Sequence, residues 1–194
     1  MLKYPLSTLL YLAKINIKDT IKDALRLKNN LDIRLTITVK DKNGKIIKQH
    51  KQHSHSFVAN FLDDLIFLTS QSPGTGINLA ATNIQIGTGT TPPSPSDTAL
   101  EDPISNGTGT GEMVYPSKPT FSSVTINGQT SSFTITSIFS NNSGASITVS
   151  EVGWIGGTEN SGFSGMLTHD LLSSPITVPN LSEIEIIYTI SVTT

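Results

Sequence analysis

The feature that most constrains this chain is a strict period of two near its C-terminal end. Ile184, Ile186, Tyr188, Ile190 and Val192 occupy alternate positions, and alternate side chains of a strand share one face, so that face is apolar and has to lie on a core. The texture extends back to Phe133. In FSNNSGASITVSEVGW (139–154), Ile147, Val149 and Glu151 alternate with Thr148, Ser150 and Val152. The turn before them comes from Asn141, Asn142, Ser143 and Gly144, which tolerate left-handed backbone angles. Pro175 and Pro179 bracket a short ITV segment suited to an edge or bend. Asn127-Gly128, between Val124/Ile126 and Phe133/Ile135, is a two-residue hairpin signal.

Composition agrees with many short strands. Of 194 residues, 36% are hydrophobic and only 14% charged, and Ser, Thr, Asn and Gly fill the difference, as turns and half-buried strands require. The absence of cysteine excludes disulfides, thiolate nucleophiles and cysteine-ligated zinc. Net charge is −2, but it is divided: residues 1–53 hold twelve Lys and Arg against four acids, +8, while the remainder holds Lys118 alone against eleven acids, −10. A basic arm on an acidic body implies one end that meets a polyanion, an acidic protein or an anionic lipid.

The arm begins with a predicted helix from Pro5 to about Lys28. Leu6, Leu9, Leu10, Ala13, Ile17, Ile21, Ala24 and Leu27 recur at three- and four-residue steps, and Pro5 suits a first turn. Lys14, Lys18, Lys22 and Arg26 follow at steps of four as a basic ridge. Two readings stand: a solvated face beside a core-facing stripe, or a ridge facing phosphates or a partner, attracting DNA without sequence preference. Leu2, Tyr4, Leu12 and Ile15 widen the apolar side enough for contact with a membrane surface, but Lys14 and Lys18 interrupt any spanning run.

LDIRLTITVKDKNGKIIKQH then predicts a hairpin: Ile33, Leu35, Ile37 and Val39 alternate with polar residues, Asn43-Gly44 turns the chain, and Lys45 to Gln52 return. Its lysines guard a sheet edge against foreign strands. His50, His53 and His55 raise metal binding, but no carboxylate lies among them, and surface histidines are the expectation. Ser56 is placed to cap a second helix carrying Phe57, Phe61, Leu65 and Leu68.

No signature of catalysis follows. The GTGT runs at Gly87–Thr90 and 107–111 lack the Lys and Ser/Thr of a phosphate loop. There is no G-x-S-x-G elbow, adjacent His169 and Asp170 point to opposite faces of a strand, and Glu151 has no carboxylate partner nearby in sequence. We therefore expect no catalytic, cofactor or metal residues. The Gly-rich run from Gly156 to Gly165 is expected to form a partner-contacting tip.

The strings "NNSGASITVSEVG", "DLLSSPITVP", "YTISV" and "IGTGTTPPSPSDTAL" resemble small virion structural proteins of tailed phages and of spindle-shaped archaeal viruses. The resemblance spans roughly Leu31 to Val192 and leaves the first helix uncovered. It implies a non-enzymatic tail or portal-vertex adaptor or connector in the virion, assembling as a homo-oligomeric ring beside portal, tail or nozzle proteins, with DNA passing through or near it. It also implies that Thr98–Leu100 form a short helix or turn packing on the sandwich. The expected fold is mainly β with N-terminal helices, an α+β chain: a basic part over 1–72, and over 73–194 an antiparallel β-sandwich, of which the jelly roll is one form. Two alternatives remain. One is a shell-forming capsid or spike protein. The other is a cellular carbohydrate- or surface-binding module, for which Trp154, Tyr115 and Phe163 are the aromatic candidates.

Overall fold

The computed structural model describes residues 31–54, 83–158 and 163–193. Its first element is the predicted hairpin. Strands β1 (Leu31–Lys40) and β2 (Ile46–His53) pair antiparallel. At their turn Gly44 has φ +79°, a left-handed conformation that glycine adopts without penalty. Asn127-Gly128 does the same, with φ +60° at Gly128, between β5 (Thr125–Asn127) and β6 (Thr130–Asn141).

β1 does more than form a hairpin. Over all ten of its residues it pairs with β9 (Ser182–Thr193), from Leu31 opposite Val192 to Lys40 opposite Glu183. β9 pairs on its other side with β6, and β6 with β5 and the short β4 (Thr120–Phe121), so a six-stranded sheet runs β2-β1-β9-β6 and ends on β4 and β5. A second, three-stranded sheet runs β3 (Asn83–Gly87), β7 (Ile147–Thr158), β8 (Phe163–Val178). All its pairings are antiparallel too.

The period of two explains the core. Ile33, Leu35, Ile37 and Val39 from β1, Ile135 and Phe139 from β6, and Ile184, Ile186, Tyr188 and Ile190 from β9 form one buried cluster. Ile84, Ile86, Val149, Val152, Trp154, Ile176 and Val178 of the smaller sheet belong to the same cluster. Each such aliphatic side chain contributes about 1.5–3 kcal/mol by leaving water.

This arrangement corrects the expected class. Among the described residues there is no helix, and nine strands in two antiparallel sheets make this part of the chain all-β and sandwich-like, not α+β. The reason is physical: the apolar face of β1 has the same period as that of β9, and the two bury together, so the basic hairpin belongs to the same sheet as the C-terminal strands. The six-and-three division is also not the pair of four-stranded sheets of a jelly roll. The predicted helices over 5–28 and after Ser56 lie outside the described residues, as does the ridge of Lys14, Lys18, Lys22 and Arg26.

Two local expectations were refined. Pairing continues through the Gly-rich run, with Gly156 opposite Gly165 and Thr158 opposite Phe163, so most of it is strand. The ITV segment between Pro175 and Pro179 forms the end of β8, an edge strand, next to a register shift between Val149 and Glu151.

Candidate functional site: a buried carboxylate hub and an open cleft

Successive residues of β8 face opposite ways, and both faces carry a buried polar group. Asp170 points toward the larger sheet, where its Oδ2 accepts hydrogen bonds from Ser54 Oγ at 2.8 Å and Tyr188 Oη at 2.9 Å. Burial, together with the Asp170 charge, raises the Tyr188 phenol well above its ordinary value, so it remains a neutral donor. This set ties the two sheets together.

His169 faces outward, beneath the loop that follows β3. Its Nε2 lies 2.8 Å from Glu151 Oε2 and its Nδ1 2.6 Å from Asp97 Oδ2. Residues 151 and 169 are diagonal neighbours on one sheet face, and Gly153, directly opposite His169, presents no side chain there.

Glu151 is 1% exposed, and a buried carboxylate is tolerated only if its lone pairs are filled. Its Oε1 accepts from the backbone N–H of Gly89 (3.1 Å) and Asp102 (2.8 Å), and its Oε2 from Glu101 N–H (3.1 Å) as well as His169. These four contacts match the acceptor capacity of a carboxylate. The loop is further held by Glu101, whose carboxylate accepts from the Thr91 hydroxyl and from the Thr91 and Thr90 N–H groups, and the hydroxyl first, then the two N–H groups, hold its carboxyl below the ordinary value. Burial pushes the Asp97 carboxyl up, but the Ser94 N–H and the hydrogen bond and charge of His169 outweigh it and leave it lowered. Leu100, packed with Met166 and Ile155, adds a small apolar contact.

The first GTGT run therefore does cradle an anion, and the anion is the chain's own. A Cβ on Gly87 would stand 2.3 Å from Glu151 Oε1, and one on Gly89 2.6 Å from the same atom. The second run repeats the theme: Gly109 N–H donates to Glu112 Oε2 at 2.8 Å. Sequence reasoning missed the hub because Asp97, Glu151 and His169 are far apart along the chain. The available signal was a lone Glu in the otherwise apolar strand SEVGW, which must find donors, and a glycine-rich loop that offers them.

Chemically the hub is closed. Both imidazole nitrogens and both oxygens of Glu151 are engaged, so neither group stands as a free base. The histidines of β2 are apart: His50 Nε2 lies 2.9 Å from Gln52 Oε1, and His53 Nδ1 lies 3.0 Å from Asp32 Oδ1. His55 lies outside the described residues, among which no group of three His, Cys, Asp or Glu is arranged to hold a metal ion.

Just past the hub the same loop borders a cleft of about 510 Å³ lined by Asn83, Gln85, Ile104, Asn106, Tyr115 and Ser117, with Pro103, Ser105 and Pro116. Tyr115 anchors its floor. The hydroxyl donates to Ile104 O at 2.7 Å, and the ring meets Phe139 edge-on at 4.7 Å. Of the aromatic candidates for a sugar platform, Trp154 is instead buried against Tyr188, Tyr115 is half-buried in this cleft, and the side chain of Phe163 lies outside the description.

A scan against protein-family models found no match. Searches of curated proteins and of solved structures likewise found no significant match.

Proposed function

We propose that this protein is a non-enzymatic structural subunit of a virion, an adaptor or connector at a tail or portal vertex that assembles as a ring of identical copies. The observation that carries this reading is a pair of edges on the larger sheet that, among the described residues, have no further strand beside them. At one edge β2 exposes Ile46 (54%) and Ile47 (47%); at the other, the β5 edge exposes Val124 (64%) and Ile126 (76%). Open edges with exposed aliphatic residues are templates for pairing with another chain.

Their charges favour head-to-tail contact. β2 and its turn carry Lys45, Lys48 and Lys51, which repel a second β2 edge, whereas residues 120–127 hold no charge. Unlike edges that join by a rotation close into rings. The internally satisfied hub supports the non-enzymatic part of the reading, and the resemblance of residues 31–192 to small virion proteins supplies the setting. The basic arm, with its Lys14–Arg26 ridge, would face portal or tail neighbours or the viral DNA.

The test is the mass of the full recombinant chain by light scattering, with immunogold labelling of particles from the source. We expect a closed oligomer that Ile47→Lys and Ile126→Lys each reduce to monomer, and label at one pole. Label over the whole surface would favour a shell protein instead. A chain that stays monomeric at every concentration would sink the ring.

A further inference from the structure

We infer that the cleft between β3 and the 103–106 and 115–117 segments is a binding site for a neutral, hydroxyl-rich ligand, a saccharide. This inference stands apart from the ring proposal, since the cleft lies on the smaller sheet's β3 side and involves neither open edge.

The lining favours a neutral ligand. Among the described residues it contains no Lys, Arg, His, Asp or Glu, so none of them brings a formal charge to pair with a phosphate, a carboxylate or a metal ion. Nor is it an apolar slot. Asn83, Gln85, Ser105, Asn106 and Ser117 make up most of the lining, and its apolar members are Ile104, two prolines and the Tyr115 ring. A cleft of this volume falls within the roughly 300–1,000 Å³ of small-ligand sites.

Among the described residues, several of its polar side chains are unengaged. The side chains of Gln85, Ser105 and Ser117 make no hydrogen bond to any described residue. Asn106 uses its Oδ1 to accept from Tyr115 N–H at 3.0 Å, which leaves its NH₂ as a donor. Asn83 Oδ1 is shielded from solvent and has no partner. Most buried polar atoms are paired; this one has no exposed surface, so the ligand-facing polar groups of the cleft are the others. Side-chain amides both donate and accept, as sugar hydroxyls do. The Tyr115 ring, fixed by its hydroxyl and by Phe139, gives the apolar surface on which a sugar ring can rest.

The site is rigid where it matters. Ile104 N–H donates to Ile86 O at 2.9 Å, and Pro103 and Pro116 fix backbone angles on either side. A preformed site loses little on binding.

The experiment titrates the isotope-labelled full chain with maltohexaose, cellohexaose and N-acetylchitohexaose, with a heparin hexasaccharide as charged control, and follows the side-chain amide signals by NMR. We expect at least one neutral sugar to bind saturably with a Kd below about 1 mM, shifting the Asn83, Gln85 and Asn106 signals. Gln85→Ala should weaken binding about tenfold. Ser117→Trp, at an exposed position, should abolish it while leaving the backbone spectrum folded. No saturable shift with any neutral sugar overturns the proposal. So does binding that maps elsewhere, binding of heparin alone, or binding unchanged in Ser117→Trp.

Discussion

The hub and the cleft meet on one short stretch of chain, residues 101–106, and use its polar groups in opposite ways. Glu101 and Asp102 give their N–H groups to Glu151, whereas Pro103 to Asn106, immediately after, line a cleft whose side chains are largely unengaged. In the hub four donors converge on one carboxylate and shut out solvent. The lesson is that a polar group marks a binding site when its hydrogen-bonding capacity is left over. A buried acid with a full complement of donors marks a structural joint.

The comparison is broken most severely at the glycines. Replacing Gly87 with Val would drive a side chain into Glu151 Oε1 at 2.3 Å and the Asp102 backbone at 2.7 Å, and backbone cannot step aside. We expect a loss above about 4 kcal/mol, seen as loss of the cooperative transition in urea. Glu151→Ala comes next: it strands three loop N–H groups and His169, and should cost about 3–5 kcal/mol, measured as a shift in urea midpoint. A double-mutant cycle of Glu151→Gln with His169→Gln should give a coupling of about 0.5–3 kcal/mol, and a coupling near zero would mean that the pair acts only by filling space.

Acid sharpens the contrast. Asp97 and Glu101 are both held below their ordinary values of 3.8 and 4.5, so each binds a proton less readily folded than unfolded. Their contribution to stability is full above the unfolded values and is lost as pH falls through the lower folded ones. Urea midpoints should therefore drop below about pH 4.5, and Asp97→Asn should flatten that decline. The smallest effect belongs to the cleft. Gln85→Ala should change stability by less than about 0.5 kcal/mol, since its side chain makes no bond to any described residue.

The turns were legible because their instructions are local. Asn43-Gly44, Asn127-Gly128 and the run from Asn141 to Gly144, where Gly144 has φ +85°, each encode a turn within a few residues. The apolar face of β9 was equally legible, since a period of two states its own burial. The fold class was misjudged because charge divided the chain at a place where packing does not: β1 is basic in its surroundings yet inseparable from β9. The hub was illegible for a related reason. Glu151 is diagonal to His169 only after a bulged pairing, and Asp97 arrives from 72 positions away. Adjacent in sequence, His169 and Asp170 read as one feature, but they serve two separate networks on opposite faces.

The place of β9 has a consequence for how the chain comes into being. Of the described strands it is the last synthesised, yet it lies inside the larger sheet, between β1 and β6. Until Ser182–Thr193 have emerged, the β1–β2 hairpin and the β4–β6 unit are two unconnected halves, and Leu35 and Ile37 have no partner in Tyr188 and Ile186. Such distant pairings form slowly. The nascent sandwich therefore waits, half-built, for one strand to slot in, and the moment of insertion is when its two halves become a single sheet.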